Sequence, residues 1–308
     1  MLDTHSFCNL VTLNCMAFVT EDNTLDLEKM LDAQRFNARM SYRVTLPELE
    51  LPKWNATQKR DRLTGLSLTG YQDMVNALNL SKERQREILR ELKRVGREEV
   101  DRYADELGLN RSELSTCLKP EGTLSLLPTV SSGLHMNHSD FYTRRIRINA
   151  QDPLCKTCEE LGYPVFPEVG QDVNNPKTKV IEFPVKAPHG RTKYDVSAIE
   201  QLETYKMFME EYVEHNASNT ISVRPEEWDG IVDWVYENWD SVIGITFISL
   251  DDSFYQLLPY ESCTEDEYNE RKKSLKQITY SALAKHETFE VFNDLEDDSC
   301  TSSVCAVR

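Results

Sequence analysis

Apolar runs of strand length alternate with capped, helix-length segments along most of this chain, and that alternation limits its fold more than any single motif. Strand-like runs lie at Cys8 to Val19, Leu66 to Thr69, Leu114 to Leu118, Arg144 to Asn149, Lys179 to Val185, Thr220 to Val223 and Val242 to Ile248. A helix from about Leu25 to Tyr42 separates the first two. A longer one runs from Ser81 to about Leu107, with Ile88, Leu92, Val95, Tyr103 and Leu107 close to helical spacing and Gly108 at its end. Another opens with the capping box Ser197-x-x-Glu200, and a further one at Pro225 with Glu226 and Glu227 in its first turn. Parallel strands need long crossovers, usually helical, so this order predicts parallel pairing and an α/β architecture.

The bulk numbers set the outer bounds. A chain of 308 residues can bury a large core. Its formal charge of −17 argues against a general nucleic-acid partner, which would need a basic surface to displace phosphate counterions. No apolar run approaches membrane-span length, Val242 to Leu250 being only strand-sized, and the start Met-Leu-Asp-Thr-His lacks the basic and apolar regions of a signal peptide. A cytoplasmic protein without a membrane partner is expected. There, the 8 cysteines should be mostly thiols, and any disulfide should be catalytic.

The densest motif is Cys117-Leu-Lys-Pro-Glu-Gly-Thr-Leu-Ser125, continuing through Ser131-Ser-Gly-Leu-His135 to Arg144-Arg-Ile-Arg147. A strand ending in a glycine turn before a helix start should leave backbone N–H groups unpaired and aimed at one point, which suits an anion such as phosphate. Glu121, Gly122, Thr123, Leu124 and Ser125 are therefore the candidate phosphate-binding residues, with Thr123 and Ser125 adding hydroxyl donors.

The cysteines need separate readings. Cys300 and Cys305 lie in a Ser/Thr-rich terminus that follows an acidic stretch, Glu287 to Asp298, without Lys or Arg. No core exists there to bury them, and exposed thiols are a liability unless they react. About twenty residues of flexible chain reach roughly 25 Å, enough for a swinging dithiol. No metal site is expected, because a zinc clasp would need two more ligands and His286 is the only obvious one. Cys8 in a strand would ordinarily be a small buried hydrophobe. Cys15, seven residues on, should face the other side, and it reads as structural, as does Cys117. Cys155-Lys-Thr-Cys158 sits in a predicted helix and repeats one face. His5, His138 and His135 read as ordinary turn or surface histidines.

Taken in order, Phe7-Cys8-Asn9-Leu10, Thr69-Gly-Tyr-Gln-Asp73, the Lys119-Pro-Glu-Gly-Thr123 loop, Arg144 to Arg147, Ser218-Asn-Thr220 and the terminal cysteines closely resemble the adenosylcobalamin-dependent (class II) ribonucleotide reductases, especially the monomeric ribonucleoside-triphosphate reductases. The resemblance implies the second half of the ten-stranded α/β barrel of those enzymes, plus a flexible C-terminal tail. Residues 1–260 would be the barrel half, 261–286 a surface helical segment and 287–308 an acidic redox tail. It implies that Cys8 is one of the active-site pair oxidised as the ribose 2′-hydroxyl leaves, its partner lying on an upstream strand. Cys300 and Cys305 would regenerate that pair and be reduced in turn by thioredoxin. The family's radical cysteine lies in an Asn-Pro-Cys-Gly-Glu loop, which should precede Phe7 and is not in the sequence. That cysteine and the rest of the adenosylcobalamin site are thus expected from an N-terminal half on another polypeptide, and the chain alone should be inactive. A non-catalytic nucleotide-binding remnant is the alternative, against which the retained Cys8, Cys300 and Cys305 argue.

Overall fold

A computed structural model describes residues 4–250 and 256–287. In chain order the strands are β1 (Asn9–Asn14), β2 (Thr64–Thr69), β3 (Phe141–Asn149), β4 (Val165–Pro167), β5 (Thr178–Lys186), β6 (Ile221–Val223), β7 (Phe247–Ser249) and β8 (Tyr260–Ser262). The α-helices are α1 (Leu27–Val44), α2 (Pro52–Asp61), α3 (Tyr71–Leu78), α4 (Lys82–Leu107), α5 (Pro153–Leu161), α6 (Ala198–Glu211), α7 (Trp228–Glu237), α8 (Glu265–Ser274) and α9 (Tyr280–Ala284). Their ends follow the local chemistry. The side chains of Asp26, Ser81 and Ser197 accept the N–H groups of Lys29, Arg84 and Glu200 at the starts of α1, α4 and α6. Gly108 closes α4 in the left-handed conformation. Among the described residues no helix is long and apolar enough to cross a membrane.

The chain divides into two compact units, Met1–Asp140 with Ala187–Ser253, and Phe141–Lys186 with Phe254–Arg308. In the first unit the expected parallel pairing is present. β1 runs parallel to β2 over its whole length, Asn9 opposite Thr64 through Asn14 opposite Thr69. Parallel bridges then join Leu66 to Thr116 and Leu118 to Ala217, and β6 pairs parallel with β7. The expected strand at Leu114 to Leu118 contributes only these bridges, and of the run Val242 to Ile248 only its end pairs, within β7.

β2 is buried along all six residues. Leu66 packs with Ala38 and Tyr42 of α1 and with Val100 and Ala104 of α4. Leu68 joins the main core, which includes Leu13, Met30, Ile88, Leu92, Leu202 and Phe208. Gly96 lets α4 come this close, since a Cβ there would stand 2.7 Å from Leu66 Cδ1.

The second unit corrects the parallel expectation. Its sheet has the order β4-β5-β3-β8, and every pair is antiparallel. The reason is local. After α5 the chain makes β4 and returns through a hairpin into β5, so β5 enters the sheet from the end opposite to a helical crossover. Arg145 of β3 is buried and paired with Glu182 of β5 at 2.6 Å and Glu261 of β8 at 2.5 Å, tying three strands by charge. Arg147 pairs with Glu168, and Arg144 stacks over the Tyr260 ring. The Arg-Arg-Ile-Arg run is thus a sheet-holding element of this unit. Cys155 and Cys158 are fully buried in α5, where burial raises both thiols, Cys158 to about 11.

All 4 tryptophans, Trp54, Trp228, Trp234 and Trp239, lie in the first unit, so their fluorescence reports its unfolding. Leu68→Ala should lower the stability of that transition in denaturant by about 2–5 kcal/mol, the usual cost of a cavity at a fully buried leucine.

Candidate functional site

Strand alternation sorts the first unit's sheet into two faces. Val11, Leu13, Leu66 and Leu68 point to the helices, whereas Leu10, Thr12 and Asn14 share the opposite face with their partners Gly65, Ser67 and Thr69. Cys8, two residues before Leu10, belongs to this second face. So does Cys117, because the bridge of Leu66 to Thr116 sets Cys117 beside Ser67.

Gly65 brings the two cysteines together. A Cβ at this position would lie 2.4 Å from Cys8 Sγ and 3.0 Å from Cys117 Sγ, with Leu10 Cδ2 also at 2.4 Å. Both sulfurs occupy the space a side chain would fill. The neighbouring Cys117 thiol is the strongest influence lowering the Cys8 pKa. Burial opposes it, while contact with His215 and the charge of Lys119 add to it. Cys117 moves the other way, pushed far up by the Cys8 sulfur and by burial.

His215 completes the group from the connection between α6 and β6. Its Nε2 donates to the Thr64 carbonyl at 3.0 Å, and its backbone N–H bonds the Thr116 carbonyl. Burial disfavours its charge, yet the Cys8 sulfur and the nearby carbonyls outweigh this and raise its pKa. Cys15 differs in kind: it is buried on the helix side, and desolvation carries its thiol well above the ordinary range. The sequence reading of Cys15 therefore agrees with its placement, whereas Cys117 stands against Cys8.

The loop from Lys119 to Gly133 is clamped at both ends. Lys119 N–H donates to Ser67 Oγ at 2.9 Å, and Thr12 Oγ1 donates to Glu121 Oε1 at 2.6 Å. Glu121 is buried with φ of 55°, a left-handed turn that folds its carboxylate back onto β1. At the far end Gly133, with φ of 55°, passes so close to Lys119 that a Cβ would meet its carbonyl oxygen at 2.5 Å. The Thr69 to Asp73 motif holds the return. Thr69 Oγ1 and Gly70 N–H donate to the Ser131 carbonyl, and Asp73 accepts from Ser131 N–H and Asn137.

Of the candidate phosphate residues, Gly122, Thr123 and Leu124 are exposed, while Glu121 and Ser125 are buried. A 3-10 turn, Leu124–Leu126, follows, and the N–H of Ser125 bonds the Glu121 carbonyl. The apex accessible to a ligand is thus Gly122 to Leu124. The Glu121 carboxylate links the loop to Thr12, roughly 13 Å along the strand from Cys8. His135 is a neutral strut, its Nδ1 donating to the Ser132 carbonyl and its Nε2 accepting the Thr220 N–H, both at 2.9 Å. Asn219 braces the start of β6 by donating to the carbonyls of Ala217 and Gly244. Cys300 and Cys305 lie outside the described residues.

Similar proteins are found both by sequence and by structure. No protein-family model matches the chain. A probable adenosylcobalamin-dependent ribonucleoside-triphosphate reductase of Dictyostelium discoideum is 26% identical over 96% of this chain and 38% of its own length. An adenosylcobalamin-dependent ribonucleoside-triphosphate reductase of Lactobacillus gasseri is 25% identical over 98% of this chain and 43% of its own. The crystal structure of a B-12 dependent (class II) ribonucleotide reductase superposes with a TM-score of 0.75, at 21% identity, over 90% of this chain and 41% of that one.

Nearly the whole chain is thus similar to adenosylcobalamin-dependent ribonucleoside-triphosphate reductases. It spans about two fifths of the length of these relatives. A cavity in the first unit, lined by Gln72, His135 and Gln201 among others, holds about 20 Å³, the room of a water molecule. A cleft of about 370 Å³ is lined wholly by charged side chains of α4 and the end of α6, from Arg90 to Glu214. Neither fits a corrin ring.

The two glycines of the candidate site, Gly65 and Gly122, should behave differently. Gly65→Ala should cost about 1–3 kcal/mol of unfolding free energy by overpacking. Gly122→Ala should change it by less than about 0.5 kcal/mol, since its φ is ordinary and a Cβ there meets nothing within 4 Å. Tryptophan-detected denaturation of the two variants checks the contrast.

Proposed function

We propose that this chain supplies part of the catalytic barrel of a ribonucleotide reductase that converts ribonucleoside triphosphates to 2′-deoxyribonucleotides by radical chemistry. One observation carries the reading. In a chain whose homologues are named for that reaction, Cys8 and the Glu121 anchor of the candidate phosphate loop share one sheet face. The separation along β1 suits a nucleotide with its phosphates at the loop and its ribose at the sulfur.

In this reading Gly122, Thr123 and Leu124 present the phosphate donors, with Glu121 and Ser125 shaping the turn beneath them. Cys8 is one of the two sulfurs that reduce the ribose 2′-carbon. The tail dithiol Cys300 and Cys305, within residues 287–308, re-reduces that pair and is itself reduced by thioredoxin. Adenosylcobalamin, when bound, supplies the initiating radical, at a site belonging largely to the N-terminal half of the reductase. The chain's own residues bind the triphosphate, place the ribose and carry reducing equivalents.

Two experiments test the reading. First, the chain alone, with adenosylcobalamin, a dithiol and a ribonucleoside triphosphate, should form no deoxynucleotide, and adding an N-terminal segment that completes the relatives' length should restore turnover. Turnover by the lone chain, or none after reconstitution, overturns it.

Second, in the reconstituted enzyme, Thr123→Ala should weaken nucleotide binding by about 1–3 kcal/mol, more than Ser125→Ala, because Thr123 is the exposed hydroxyl. Replacing Cys300 and Cys305 by Ser should spare a single turnover and abolish thioredoxin-driven cycling, whereas Cys8→Ser should stop the first turnover. Undiminished cycling in the double variant would refute the shuttle.

A further inference from the structure

We propose that Cys117 and His215 are positioning residues that hold the Cys8 sulfur as a reactive nucleophile toward disulfides and small electrophiles, and that Cys117 is not itself the sulfur with which Cys8 pairs. It deepens the proposed role of Cys8, and its test on the chain alone is separate from turnover of the reconstituted enzyme.

The sulfurs of Cys8 and Cys117 meet over Gly65, and the imidazole of His215 is anchored on the Thr64 carbonyl within reach of Cys8. A thiol and an imidazole thus converge on one half-buried sulfur, an arrangement that favours the anion. The other charged groups agree. Lys119 acts on Cys8 in the same sense, and Glu121 acts on Cys117 to keep it protonated. Glu214, the neighbour of His215, turns its carboxylate to the N–H and hydroxyl of Ser115, at 2.6 and 2.8 Å.

Cys117 is nevertheless a poor disulfide partner. Cys8 and Cys117 flank β2 on opposite sides. Their backbones are therefore at least two strand spacings apart, roughly 9.5 Å or more, beyond the roughly 7 Å that a disulfide bridges without backbone movement. Their side chains touch only by leaning over a residue with no side chain. With a disulfide as oxidant, the Cys8 thiolate attacks one sulfur and a mixed disulfide forms at Cys8. The second sulfur leaves as a thiolate and takes up a proton, so one external disulfide is consumed and one external thiol released.

The test uses the chain by itself and limiting iodoacetamide across a pH series, with peptide mapping of each cysteine. An ordinary thiol, of pKa about 8.5, is almost wholly protonated near pH 6. Cys8 should still react within about threefold of its plateau rate there, and at least about tenfold faster than Cys263. Cys263 is the internal reference, half-buried in the second unit with its thiol raised by burial. His215→Gln and Cys117→Ala should each move the Cys8 profile to higher pH by about one unit, and Cys117→Ser, which keeps a donor, should restore most of it. Should either variant fold poorly, Cys8→Ser supplies the reciprocal readout, a fall in the His215 pKa followed by NMR of its ring protons. Glutathione disulfide should leave a glutathione adduct on Cys8. A Cys8 profile matching that of Cys263, or one unmoved by the variants, or a His215 pKa unchanged by Cys8→Ser, would overturn the activation. A Cys8–Cys117 crosslink would overturn the exclusion of Cys117 as the pairing sulfur.

Discussion

Everything in the first unit is arranged around β2, a strand buried along its whole length between helices on one side and a polar face on the other. Its leucines and its glycine do opposite jobs. Leu66 and Leu68 fill the core beneath α1 and α4. Gly65, facing away, leaves a gap one side chain wide. Without that gap the flanking residues would keep the separation that sheet geometry imposes. With it, sulfur atoms from either side reach each other, and an imidazole on the next connection closes over them.

The phosphate-loop candidate depends on the same sheet. Its entry bonds Ser67, its buried carboxylate returns to Thr12, and its exit is held by Thr69, Gly70 and Asp73. The motifs that stand apart in sequence therefore act as one structural device. Thr69 to Asp73 is a clamp on Ser131, and Ser131 to Gly133 is the piece clamped. The apex, Gly122 to Leu124, is open to solvent, as is the stretch from Leu127 to Thr129.

Local chemistry made much of this legible. Helix starts at Ser81 and Ser197, the left-handed stop at Gly108 and the alternating elements of the first unit could all be read from residue order. The direction of β5 could not, because a helix between two strands does not reveal that a short extra strand will turn the chain back. Nor could the company of Cys8. Cys117 is distant in sequence and lies one strand beyond its neighbour, so its contact depends on registers that only tertiary packing sets. His215 gave no sign of itself, sitting in an irregular connection without periodicity. Its position just before Ser218-Asn-Thr220, a brace whose Asn219 holds β6, was the available hint.

Cys8 and Cys15 stand seven residues apart and on opposite sides of the same sheet, one beside an imidazole and a thiol, the other sealed among core residues. The chain thereby carries a built-in pair of chemical witnesses. Cys8 answers to reagents while the fold is intact, and Cys15 can answer only once the helices have lifted from β1. The interval between the two responses, followed along a denaturant series, would measure how far the polar face can open before the core beneath it gives way.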